Sequence, residues 1–168
     1  LDDPPAYVVA KRGRLPESWK PLIRAAYPFL QPLHVVAPPP GAAGGEAAAR
    51  GGAAAAVLDA VATVARAMPL WQVVHVDSAS SSGSSGGGGG LVMEAVSTTR
   101  LLRFKDDIVV RIRPEARREG GGKDETLRVD VRSRSRVGRG DLGTNAARIR
   151  LFLSRLREEL VGRGVDVV

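Results

Sequence analysis

The most regular hydrophobic pattern lies near the C-terminal half, in TLRVDVRS at residues 126–133. Leu127, Val129 and Val131 alternate with Arg128, Asp130, Arg132 and Arg134. A period of two predicts a strand with one core face and one face that is wet or covered by a partner. Residues 91–99 (LVMEAVSTT) and 107–114 (DIVVRIRP) predict two more strands. In LWQVVHVD, Trp71, Val73 and His75 alternate with Gln72, Val74 and Val76, which predicts a fourth. Residues 53–68 instead follow the helical period: Val57, Val61, Val64 and Met68 form one stripe, widened by Leu58 and Ala65 and ended by Pro69. A second helix is predicted from about Leu142 to Val161, with Leu142, Ala146, Ile149, Leu153, Leu156 and Leu160 in one seam and Phe152 beside it. A seam this short next to a sheet points to a helix lying on that sheet and not to a coiled coil. The expected fold is α+β: a four-stranded antiparallel sheet packed by an N-terminal and a C-terminal helix.

Two segments stand outside this pattern. Residues 1–45 read as an extended Pro-rich arm and linker, with prolines at 4, 5, 16, 21, 28, 32 and 38–40 that forbid a long helix or a central strand. The remainder, 46–168, reads as a single domain carrying a flexible Ser/Gly insertion at 78–90. Within the arm, ESWKPLIRAAYPFL predicts a short helix, with Trp19, Ile23, Ala26 and Leu30 at helical spacing and Pro21 in its first turn. Trp19, Leu22, Ile23, Tyr27, Phe29 and Leu30 supply more apolar surface than a free arm would carry. They either pack on their own domain or dock on a partner. The sheet is already closed by its own helices, so the arm is expected to bind another protein.

Charge adds a second asymmetry. The 168-residue chain carries a net charge of +7, and residues 128–157 hold nine Arg against only Asp130 and Asp141. A basic face attracts partner proteins, phosphates or anionic lipid headgroups without choosing among them. Aromatic residues make up only 4% of the chain and none interleave the basic strand, which argues against nucleic acid. Cysteine is absent, so no thiolate metal site and no thiol nucleophile exist. No apolar run reaches the roughly 20 residues of a membrane span. The sequence opens on Leu1, not Met, which fits a processed N-terminus of an imported or exported protein.

The stretch RSRSRVGRGDLGTNAARIR, residues 132–150, contains Gly138, Gly140 and Gly143 in the spacing of a dinucleotide-binding turn. Asp141 would place a carboxylate where a diphosphate must lie, and too little chain follows for a doubly wound sheet. A structural corner explains more. Asp141 is expected to cap the C-terminal helix, the glycines to permit the turn, and Arg132 and Arg136 to pair with Asp106 or Asp107. Arg132, Arg134, Arg136 and Arg139 are the candidate residues for anion binding. Asp106, Asp107, Asp141 and Asn145 could be drawn as oxygen ligands for magnesium, and Ser133 or Ser135 as a nucleophile. No histidine lies near either serine in sequence, and carboxylates set among arginines form ion pairs more readily than metal sites. No catalytic residue, metal or cofactor is assigned.

LLRFKDDIVVRI followed by VDVRSRSRVGRGDLGTNAARI resembles the domain-of-unknown-function family numbered 1499. The matching positions are Arg103, Phe104, Asp106, Asp107, Arg132, Ser133, Ser135, Arg136, Gly138, Asp141, Gly143, Asn145, Arg148 and Ile149, within a resemblance covering roughly residues 53–160. That family implies no established catalytic residues. Its plant and algal relatives look chloroplast-directed, which implies a chloroplast protein, thylakoid-associated, with a mitochondrial setting as the alternative. The expected function is therefore a non-catalytic accessory or assembly subunit of an organellar, photosynthetic complex. It would hold other subunits through its arm and basic face. An anion-binding module, for phosphate or RNA, is the second reading.

Overall fold

The computed structural model describes residues 17–36, 46–77, 90–116, 125–137 and 143–168. Along the chain run α1 (Trp19–Ala26), β1 (Leu33–Val36), α2 (Glu46–Ala67), β2 (Trp71–Val76), β3 (Leu91–Thr98), β4 (Lys105–Ala116), β5 (Glu125–Ser135) and α3 (Thr144–Gly162). The strands form one sheet in the order β1-β5-β4-β3-β2, with every neighbouring pair antiparallel. The architecture is α+β with an antiparallel sheet and three helices; the sheet has five strands where four were expected.

The additional strand comes from the segment read as a free arm. Leu33–Val36 pairs with β5, Leu33 opposite Val129 and Val36 opposite Thr126. Four residues suffice because β1 is an edge strand, and the prolines at 32 and 38 sit outside its ladder. Its outer edge is partly closed by the C-terminus, where Val167 bridges to Val35 and the Val168 amide donates to the His34 carbonyl. Leu33 and Val35 are 5% and 1% exposed, so this part of the arm belongs to the core.

Alternation along the strands sends Leu33, Val35, Met93, Ile108, Val110, Ile112 and Val129 to the face covered by α2 and α3. The stripe expected on α2 is fully used: Val57, Leu58, Val61, Val64, Ala65 and Met68 are all buried. α2 starts earlier than its stripe, at Glu46, so part of the linker-like stretch is helical; Glu-Ala-Ala-Ala-Arg consists of strong helix formers. From α3 come Phe152, Leu156 and Leu160, none more than 1% exposed, with Phe152 stacked on Trp71 at 5.3 Å. α3 packs on α2 and β5, as a helix lying on a sheet. The expected alternation of β2 breaks at Val74, where a register shift between Val73 and His75 opposes two residues to one. Trp71, Val73 and Val76 consequently pack toward the core.

The Ser/Gly insertion that joins β2 to β3 lies outside the described residues up to Gly90. A Cβ on Gly90 would stand 2.5 Å from the Ile112 carbonyl oxygen, a close approach only glycine permits.

Candidate functional site

The paired carboxylates of the KDD sequence occupy consecutive positions of β4, and the pleat sends them to opposite faces of the sheet. Asp106 turns toward α3. Its Oδ2 accepts from Arg148 Nη2 at 2.7 Å, and the two side chains are only 4% and 9% exposed. Around that pair, Ser133 Oγ donates to Asn145 Oδ1 at 2.6 Å and Asn145 Nδ2 donates to Ser135 Oγ at 3.2 Å. Arg148 Nη1 donates to both Ser133 Oγ and Asn145 Oδ1. The arrangement follows from two periods: residues 133 and 135 share a strand face, while 145 and 148 are three apart on one face of α3. The result is a corner whose polar groups satisfy one another.

Asp107 faces the other way. Its Oδ1 accepts from Arg136 Nη2 at 2.6 Å and from Arg136 Nε at 2.9 Å, and this bond raises the pKa of Arg136. Further along the same face Asp130 accepts from Arg111 Nη2 at 3.0 Å and Arg128 Nε at 2.9 Å, with Arg113 Nε at 3.5 Å. Glu115 accepts from Arg128 Nη1 at 3.0 Å and lies 2.9 Å from His34 Nε2. Burial works to raise the Glu115 pKa, but the hydrogen bonds and charges of Arg128 and His34 outweigh it and hold the carboxyl below its ordinary value. Glu94, Arg111, Asp130 and Arg132 are buried on this side, away from α2 and α3, as well, which makes it a layer of charge and not an open basic surface.

The corner expected as one unit is thus two clusters separated by the sheet. Asp106 pairs with Arg148, while Arg136 pairs with Asp107 on the opposite side. Arg132 is buried and engaged in a polar contact. Gly138, Arg139, Gly140, Asp141 and Leu142 lie outside the described residues. The N-cap of α3 is Gly143 and not Asp141; it takes the left-handed conformation, φ 81°, that glycine favours. Asp106 and Asp107 cannot share one ion across the sheet. Among the described residues no group of three or more His, Asp or Glu could hold a metal. Ser133 and Ser135 meet Asn145 and Arg148, while His34 and His75 sit with Glu115 and Asp77. Of the four arginines proposed for an anion, Arg134 is the one that presents itself to solvent among those described without a carboxylate partner.

The apolar residues of the arm behave differently. α1 has no buried residue, and Trp19, Leu22 and Phe29 are 50%, 67% and 55% exposed. Ile23, Tyr27 and Leu30 are half-buried. Tyr27 meets Phe29 edge to face, its ring lies against Gly143, and the Arg150 guanidinium stands 5.8 Å over the Phe29 ring. The inner side of this segment therefore rests on the start of α3, and its outer side faces solvent. Residues 7–16, expected to join in docking, lie outside the described residues.

One exposed feature escaped the sequence reading as a surface. In the turn between β3 and β4, Leu101 is 91% and Leu102 64% exposed, with Phe104 at 44%. The signal in the sequence is two leucines between arginines in a turn; Phe104 appears there only as a position of the family resemblance. Phe104 sits instead at the base of this turn, its amide donating to Thr99 Oγ1 at 2.9 Å.

An α+β protein with a mutually satisfied polar corner and an outward-facing apolar arm is thereby defined. The profile of the family described as Protein of unknown function (DUF1499) matches residues 3–156, and the chain belongs to that family. The match takes in the arm as well as the sheet, a longer span than the 53–160 read from motifs. Neither the curated proteins nor the solved structures include a match. Among the described residues no helix is long and apolar enough to cross a membrane.

Proposed function

We propose that the protein is a non-catalytic accessory or assembly subunit that docks on a partner protein through the outer face of α1. One observation carries this reading: Trp19 and Leu22 are each at least half exposed on α1, while Tyr27 and Phe29 just after it rest on the start of α3. Large apolar side chains grouped on one exposed surface mark interaction sites. Burying each would stabilise a complex by up to about 1.5–3 kcal/mol. The polar corner is spent on holding the sheet to α3, and its serines have no histidine within bonding distance. The basic strand contributes ion pairs within the layer, so docking rests on the arm more than on that face. An organellar and photosynthetic setting, at a thylakoid, is part of the proposal and rests on the resemblance of plant and algal relatives alone.

The test is native purification of the full-length protein beside a Trp19→Ala/Leu22→Glu variant. Wild type is expected to co-migrate with a larger assembly, and the variant to run as a folded, separate protein with the same melting temperature. Equal co-migration of the two would sink the proposal.

A further inference from the structure

The β3–β4 turn presents a second exposed apolar tip, apart from the side chains of α1. Thr99 and Phe104 close it: the Thr99 amide donates to the Phe104 carbonyl, the Phe104 amide donates to Thr99 Oγ1, and Arg103 between them is held left-handed at φ 52°. A left-handed non-glycine residue in a turn pinned by two hydrogen bonds implies a defined shape. The side chains presented on that shape are two leucines, Leu101 being 91% exposed. Arg100, Arg103 and Lys105 flank them, all exposed, and no ion pair to these three is found among the described residues. The nearest acids cannot neutralise them, since Asp106 and Asp107 are buried and already bound to Arg148 and Arg136. The Arg136 amide donates to the Lys105 carbonyl and so brings Val137, 62% exposed, beside the base of the turn.

We infer that this tip inserts into the surface of an anionic lipid bilayer, leucines below the headgroups and cations among them. Shape and charge together select this occupant. A tight turn is too small and too convex to supply the roughly 800 Å² per partner of an ordinary protein interface. A bilayer closes around a protruding tip from all sides and needs no such area. Three cations at the rim, with no ion pair among the described residues, match phosphate headgroups, each worth about fivefold in partitioning onto an anionic surface. The antiparallel register also places the chain before Leu33 toward the Ser135 end of β5, the end at which Asp106 of β4 lies next to this turn. A membrane engaged by the tip would therefore lie at the same end of the sheet as α1.

The probe is sedimentation of the full chain with vesicles of phosphatidylcholine alone or mixed with phosphatidylglycerol. Wild type is expected to pellet with the anionic vesicles and to be released by salt. Leu101→Asp/Leu102→Asp should lower partitioning at least about tenfold, with an unchanged melt, because both positions face solvent. Arg100→Gln should lower it about fivefold. The chain has no cysteine, so Leu101→Cys gives a unique labelling site whose environment-sensitive dye should shift to the blue on insertion. Wild-type protein that ignores anionic vesicles overturns the inference. So does a double-aspartate variant that binds as wild type does, or a dye that stays in water. If the double variant instead loses a protein partner while wild type ignores lipid, the tip is a protein-docking site and the lipid assignment is wrong.

Discussion

The polar corner at Asp106 and the apolar surface of α1 meet at the start of α3, yet the fold uses them in opposite ways. At the corner, Asp106, Ser133, Ser135, Asn145 and Arg148 bond to one another and are largely withdrawn from water. On α1, Trp19 and Leu22 touch solvent over at least half their surface. Residues that look chemical in the sequence are consumed by the structure, and residues that look like ordinary core are left over. A buried charge must find its partner inside, because an unpaired ion in the interior costs several kcal/mol. An exposed leucine costs its own protein far less, and so can be kept for a partner.

This contrast can be broken most forcibly at β1. Deleting residues 1–40 removes α1 together with Leu33 and Val35 from the core, a loss of about 3–6 kcal/mol from those two side chains. Chemical denaturation should show a large loss of stability, so this truncation cannot report on docking by itself. A domain that keeps its full stability would show β1 to be dispensable.

Arg148→Ala leaves the Asp106 carboxylate buried without its guanidinium and should destabilise by about 3–5 kcal/mol. Asn145→Ala removes the acceptor of Ser133 and the donor to Ser135, and about 1–3 kcal/mol is expected. Both effects should appear in denaturation midpoints. If either variant is as stable as wild type, the corner does not hold the sheet to α3.

A smaller effect concerns the charged layer that ties β1 to β4. The Glu115 pKa is depressed in the folded state, so its contribution is complete above the ordinary carboxylate value and is lost as pH falls through the lower folded value. A third of this side chain meets water, which limits the effect to about 1 kcal/mol or less. Acid titration of stability should therefore be shallower in Glu115→Gln than in wild type. Identical acid profiles would remove Glu115 from the layer.

Much of the fold was legible because its periods are long and clean. β5 alternates without interruption, and the α2 stripe from Val57 to Met68 is buried at every position. β1 was not legible, since four residues between prolines are too few to show a period and gain their stability from β5. Asp106 and Asp107 are adjacent in sequence, which suggested a shared role; the strand's period of two makes adjacency a reason for separation. The arginine count was plain, but its sign as an interaction surface was not. Arg128 and Arg136 find carboxylates on the neighbouring β4 and Arg148 reaches Asp106 from α3, information that exists only once the register and the helix packing are known.

The smallest expected effect on stability is also the sharpest test of function. Leu22→Glu replaces a side chain 67% exposed on α1, and its folding free energy should match wild type within about 0.5 kcal/mol. Measured beside wild type in native purification, this full-length variant should lose its larger assembly while melting at the same temperature. Retention of the assembly by a folded Leu22→Glu protein would contradict docking through α1.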